Sequence, residues 1–212
     1  SGSFATLKET GQPFTGTYAE FNEVGRVQAL RSYQDGKLHG PMFLYYENGN
    51  VVMSVNPQTG ETVVYHENGN PLMAIAGGSA AIFNENNEML FKIENEQPVE
   101  MEATLNQLED GSYELVKDDK VIAKIDANGQ IGTYLYSTGE PLMRFDSSTG
   151  LSEIFFKDGT TLFESDGNNF TLNYKDGKPL YEAKGNVWKF FSTDGEEIIS
   201  NFEVITDIKK VN

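Results

Sequence analysis

Apolar and polar residues alternate along most of this chain in short runs, and turn residues cut the runs about every ten positions. Phe170, Leu172 and Tyr174 alternate with Thr171 and Asn173, and Val121, Ala123 and Ile125 with Ile122 and Lys124. A period of two sends one set of side chains to a buried sheet face and the other to a wetter one. The runs are rich in Tyr, Phe, Val and Ile, which suit a pleated surface. No segment sustains a helical period. Glu100–Leu108 comes nearest, yet Met101, Ala103 and Leu105 alternate there, so it reads as a strand behind a loop marked by Pro98. Tyr45-Tyr46, Phe155-Phe156 and Phe190-Phe191 break the alternation and put aromatic rings on both faces.

One phrase recurs: an aromatic residue, one or two polar residues, a Gly turn and an apolar pair. It occurs at Tyr46–Met53, Tyr65–Met73, Tyr136–Met143, Phe156–Phe163, Tyr174–Tyr181 and Phe191–Ile199. The strongest copies return every 18 to 20 residues, one two-strand unit per period. The structural repeat residues are Gly36, Gly40, Asn48-Gly49, Asn68-Gly69, Gly139, Gly159, Gly177 and Gly195. Asn-Gly supplies the positive φ angles of a tight hairpin turn, and Asp-Gly and Thr-Gly do so with a bulge or longer loop. Asn86-Asn87 and Asp118-Asp119 stand in where Gly is missing.

The expected fold is all-β, an elongated antiparallel meander of repeated β-hairpins. So many strands must form a twisted or curled sheet. One continuous repeat domain is expected over residues 1–212. The phrase weakens between Gly77 and Gly129, so a division near 77–129 is the alternative. Ser1-Gly2-Ser3 reads as a cloning remnant. The terminal strands need blunting, which Lys209 and Lys210 suit.

Ser32–Val51 (SYQDGKLHGPMFLYYENGNV) resembles the MORN-repeat variant of bacteria. The matching residues are Tyr33, Asp35, Gly36, Lys37, Leu38, His39 and Gly40, then Tyr45, Tyr46, Asn48 and Gly49. Gly16–Ser32 looks like half of another copy, and beyond Asn56 only the turn-plus-aromatic half survives. The resemblance implies an antiparallel hairpin array. For function it implies either an exported protein or an antitoxin-like partner of a toxin, and fold analogy alone chooses neither.

The chain carries 32 acidic against 16 basic residues, a net charge of −16. A nucleic-acid surface needs a basic stripe to displace counterions, and none is visible. Anionic lipid is disfavoured for the same reason. No run approaches the 18 or more apolar residues of a membrane span, so direct membrane insertion is not expected. The lack of Cys removes disulfides, thiolate metal sites and Cys nucleophiles.

Chemistry has few footholds. His39 flanks a turn and His66 sits in a strand end, and neither lies near a G-x-S-x-G nucleophile turn. H-E-x-x-H is missing, and Asp146–Glu153 and Glu164–Asn169 only loosely resemble calcium loops. No G-x-G-x-x-G or P-loop occurs. No catalytic residue, metal or cofactor is therefore expected. The aromatic residues are the better lead, with Tyr46, Phe156, Trp188 and Phe190 as candidate binding residues.

The expected function is a non-catalytic repeat protein that binds a protein or glycan through an aromatic sheet face or edge. Export to a bacterial periplasm or cell surface, with the signal removed, is the expected localisation. Three alternatives stand. One is a cytoplasmic antitoxin-like partner, whose acidity would suit a basic toxin. Another is a carbohydrate-active enzyme using a carboxylate pair. The third is a rigid spacer. No oligomeric state follows from the sequence.

Overall fold

A computed structural model describes residues 4–22, 24–95, 97–99, 102–185, 187–191, 194–200 and 205–208, with the main chain alone at 98, 188, 198–200 and 205–208. Strands account for the regular structure. They begin with β1 (Ala5–Leu7), β2 (Gly16–Phe21), β3 (Val27–Gln34), β4 (Lys37–Leu38), β5 (Met42–Tyr45) and β6 (Val51–Asn56). Next come β7 (Glu61–Tyr65), β8 (Pro71–Ala76), β9 (Ser79–Phe83), β10 (Met89–Glu94), β11 (Gln97–Pro98) and β12 (Thr104–Gln107). They continue with β13 (Tyr113–Lys117), β14 (Lys120–Ile125), β15 (Ile131–Leu135), β16 (Pro141–Asp146), β17 (Leu151–Phe155) and β18 (Thr161–Ser165). The last are β19 (Asn169–Asn173), β20 (Pro179–Lys184), β21 (Val187–Phe191), β22 (Glu197–Ser200) and β23 (Ile205–Ile208).

The fold is the all-β hairpin meander that the alternation predicts, and it comprises two open antiparallel sheets. The first runs β2-β3-β5-β6-β7-β8-β9-β10-β11, with β4 folded onto β3, and the second runs β12 to β22 in order. Neither closes into a barrel. The outermost strands of the chain, β1 and β23, pair with each other in parallel. Lys209 and Lys210 lie outside the described residues. By contact density the chain divides into two compact units. One comprises Ser1–Ile82, Ile93–Gln97 and Ile199–Asn212, and the other comprises Phe83–Lys92 and Pro98–Ile198.

Three turn chemistries set most of the described hairpins. In the first, Tyr46 N–H donates to Asn50 O (2.8 Å) and Gly49 N–H returns to Tyr46 O (2.9 Å). The Asn48 side-chain oxygen accepts the Asn50 N–H (2.9 Å). His66–Asn70, Tyr136–Glu140, Phe156–Thr160 and Tyr174–Lys178 share this backbone frame. Only the glycine takes a positive φ, so Asn48 and Asn68 act as side-chain acceptors in a type I turn and not as left-handed residues. The second chemistry is the two-residue turn with both φ positive, at Asp35-Gly36, Gly77-Gly78 and Asp118-Asp119. The third ends in Thr-Gly: Gly11, Gly60 and Gly150 donate to Leu7 O, Asn56 O and Asp146 O, each at 2.8 Å.

A register shift follows the turn in seven of the described hairpins. Val64 opposes Met73 and Tyr65 opposes Pro71, so Leu72 is an extra, unpaired residue. The skipped residues are Gln28, Val52, Leu72, Ile122, Leu142, Leu162 and Leu180, and all are buried. Each lies three positions beyond the left-handed residue that closes the turn. Leu90, three beyond left-handed Asn87, is buried as well. The apolar pair of the recurring phrase thus has two jobs. Its first member fills the bulge, and its second joins a cross-strand row: Ala29, Leu44, Met53, Val64, Met73, Ile82 in the first sheet. The second-sheet row reads Ala123, Tyr134, Met143, Ile154, Phe163, Leu172, Tyr181, Phe190. Burying each large apolar side chain in these rows is worth about 1.5–3 kcal/mol.

Tyrosine hydroxyls tie neighbouring hairpin ends together. Tyr46, Tyr136 and Tyr174 donate to Tyr65 O (2.6 Å), Phe155 O (2.7 Å) and Phe191 O (3.0 Å). Each acceptor lies one residue past the last pair of its ladder with the preceding strand: Met53↔Val64, Met143↔Ile154 and Tyr181↔Phe190. The hydroxyl supplies the donor that the ended ladder no longer gives.

Three outcomes are expected. Leu142, with no exposed surface, when changed to Ala should cost about 2–5 kcal/mol in denaturant unfolding. Phe145→Ala, at an exposed position on the same strand, should cost less than about 1 kcal/mol. Tyr136→Phe should cost about 1 kcal/mol, the worth of one hydrogen bond.

Candidate interaction surfaces

The candidate aromatic residues sit mostly in packed positions. Phe156 is 3% exposed and Phe190 is 2% exposed. Tyr46 is half-buried, with its hydroxyl committed to Tyr65 O. Trp188 opposes Ala183, and its side chain lies outside the described residues. Phe190 packs on Tyr181 at 4.7 Å between ring centroids, Tyr181 on Phe170 at 5.3 Å, and Phe170 on Phe163 at 5.7 Å. Phe156 and Tyr136 open their turns, where the next turn along covers them. Lys157 Nζ sits 5.4 Å from the Tyr136 ring centre and Lys175 Nζ 5.8 Å from that of Phe156. These rings are packing residues capped by cations, and Tyr46, Phe156 and Phe190 do not come together as an exposed patch.

The repeat residues shape the turns. Gly36 has φ +76°, and a Cβ there would lie 2.7 Å from the Phe4 ring and 2.8 Å from Ala5 O, so no larger residue fits. Gly40 N–H donates to the Gln58 side chain (2.8 Å). His39 is exposed and His66 is buried at the turn-opening position that Tyr46, Tyr136 and Tyr174 hold elsewhere. The calcium-like segments spend their carboxylates internally. Asp146 accepts the Ser148 N–H (2.8 Å), and Asp166 accepts the N–H groups of Asn168 (2.9 Å) and Asn169 (2.8 Å).

The two sheets differ in the middle row of their second face. In the first sheet, cross-strand partners give Ala19, Leu30, Phe43, Ser54, Val63, Ala74 and Ala81 in succession. All seven are partly exposed and none is charged. The matching row of the second sheet reads Asn106, Glu114, Lys124, Thr133, Arg144, Glu153, Glu164, Thr171, Glu182 and Lys189. Charges there pair across strands: Lys124 lies 3.6 Å from Glu114, and Arg144 Nε donates to Glu153 (2.7 Å).

Two carboxylates stand out electrostatically. Glu20 accepts Arg31 Nη2 at 2.9 and 3.0 Å inside the first unit. Burial raises its pKa, and Arg31 offsets this only in part. Glu85 accepts the Ser137 hydroxyl (2.5 Å) and Lys157 Nζ (2.9 Å). Its burial pushes the carboxyl up, but the hydrogen bonds from Ser137 and Lys157 outweigh it and hold the pKa down to about 2. A cavity of about 230 Å³ lined by Glu88, Met89, Leu90, Lys117, Asp118, Lys120 and Ile122 lies in the same unit.

No family model and no curated protein matches the chain. Among solved structures it is similar to the TCP10 domain of Danio rerio CPAP, both wild type and a point mutant. Each is 13% identical over 86% of this chain and 98% of that chain, with a TM-score of 0.31. It is also similar to the wild-type domain in complex with a peptide of Danio rerio STIL, 16% identical over 82% of this chain and 95% of that chain, with a TM-score of 0.23. Likeness at these scores carries no conclusion about function.

Because Glu85 is depressed in the folded chain, its contribution to stability is complete above the usual Glu value of 4.5 and is lost as pH falls towards 2. Glu85→Gln should therefore flatten that part of the acid-unfolding profile and leave the profile above pH 6 parallel to wild type. Chemical unfolding across the pH series checks this.

Proposed function

We propose that this chain is a non-catalytic scaffold that binds another protein through a sheet surface. The observation that carries the reading is the uncharged row Ala19, Leu30, Phe43, Ser54, Val63, Ala74 and Ala81. In a chain of net charge −16, seven paired strands keep charge off one row that stays partly exposed. Depletion of charge at the centre, with polar surroundings, is the composition of a protein interface. A glycan would call for more donors and flat exposed rings than this row holds, since Phe43 is its one aromatic residue and Ser54 its one hydroxyl.

The proposal keeps the MORN-variant relationship and a location outside the bacterial cytoplasm. A signal sequence in the full natural product would support that location, and its absence there would count against it.

Capture from source-organism extract should be run with the wild-type chain and with a Phe43→Glu, Val63→Glu double variant. At least one protein held by the wild type should fall tenfold or more on the variant, with circular dichroism and unfolding midpoint preserved. Equal capture by both chains, or retention of a glycan alone, overturns the reading.

A further inference from the structure

An open sheet also offers its outermost strands, and this inference rests on the reading of the chain as a binding scaffold. Outer strands expose unpaired N–H and C=O groups, and proteins blunt them with Pro, charge, bulges or very short length. β11, at one end of the first sheet, is two residues long and holds Pro98. β12, at one end of the second, has none of these protections. Thr104-Leu105-Asn106-Gln107 carries no charge and no Pro, and all four residues are exposed, Leu105 at 54%. Among the described residues it pairs only with β13. That ladder runs from Thr104↔Val116 to Gln107↔Tyr113 with no register shift. The turn joining the two strands closes on left-handed Gly111 with the same backbone frame that leads to a bulge at Tyr46, Tyr136 and Phe156. β12 therefore lacks the bulge that would bend it and sharpen its twist, and alternate residues turn their backbone groups outward.

Both ends of this strand are acidic. Glu102 precedes it, Asp118 and Asp119 turn beside that end, and Glu109 and Asp110 follow its other end, all exposed. A shallow depression of about 470 Å³ lined by Glu102, Ala103, Thr104, Val116, Lys117, Asp118 and Asp119 borders Thr104. Of the neighbouring cations, Lys117 already donates to Met89 O (3.3 Å).

We infer that β12 is a docking edge for an extended, basic polypeptide segment that adds to the second sheet as a further strand. Main-chain hydrogen bonds to residues 104–107 hold it, Lys or Arg side chains meet the acids at both ends, and an apolar side chain packs on Leu105. A second copy of this chain fits poorly. Antiparallel pairing would set Glu102 of one copy against Glu109 and Asp110 of the other, and parallel pairing would set like against like.

The test uses the full chain and three capped octapeptides: alternating Lys and Val, alternating Glu and Val, and the Lys-Val peptide N-methylated on alternate amides. The Lys-Val peptide should bind at least tenfold more tightly than either control and slow amide exchange in the 104–107 segment at least tenfold. Asn106→Lys should weaken it tenfold or more with the unfolding midpoint unchanged, and Gln107→Pro should do the same by removing an outward-facing main-chain donor. Equal binding of the N-methylated peptide means charge alone is read and overturns the edge. Protection elsewhere in the chain overturns the edge while leaving the scaffold reading intact. Dimerisation abolished by Asn106→Lys assigns the edge to a second copy and overturns the basic segment. The Phe43→Glu, Val63→Glu variant, run in parallel, should keep peptide binding at β12, so the sheet face and the edge stand or fall separately.

Discussion

Much of the architecture hangs on one backbone constraint, the left-handed residue that closes a turn and, in seven of the described hairpins, the bulge three residues later. A left-handed φ is nearly free for Gly and costly for most other residues, so Gly49, Gly69, Gly139, Gly159 and Gly177 mark the turns in the sequence. The bulge then does three things at once. It inserts an extra buried side chain, fixes the register of the pair, and increases the local twist. A register error of one residue would send every side chain to the wrong face. Anchoring the shift to a buried Leu, as at Leu72, Leu142 and Leu162, makes that error expensive.

Much of this was legible in the sequence, because Gly and the apolar pair are local signals. The alternation predicts strands and the recurring phrase predicts hairpins. Two readings from the phrase needed the register before they could be made correctly. Asn48 and Asn68 look like left-handed residues beside Gly, but their side chains accept a turn N–H instead. Phe155-Phe156 looks like rings on opposite faces of a strand, but Phe156 has already left the strand and opens a turn. Its ring closes the end of the hairpin beneath Lys175, a neighbour 19 positions away in sequence. No local pattern announces such a partner.

The uncharged row of the first sheet was illegible for the same reason. Ala19, Leu30, Phe43, Ser54, Val63, Ala74 and Ala81 share no spacing in the sequence, since bulges and three kinds of turn separate them. Each is an ordinary strand residue by itself. Only the register collects them, and only comparison with the charged row of the second sheet makes the lack of charge informative. Both sheets come from similar turn phrases, so turn chemistry does not force the difference. Where Arg144 and Glu153 occupy the second sheet's row, Phe43 and Ser54 occupy the first's.

Electrostatics sharpens the contrast. A net charge of −16 repels itself in the folded state, and spreading acids along turns and rows limits that cost. Pairs such as Arg144 with Glu153 and Lys157 with Glu85 absorb a share of it. The surfaces left without charge, the first sheet's middle row and strand β12, then lie within an acidic field. An approaching basic segment gains long-range attraction from that field and short-range contact from the uncharged strip inside it. An acidic or neutral segment meets the same strip without the attraction. On the proposed reading, this division of labour between rim and strip would favour extended basic partners over general stickiness.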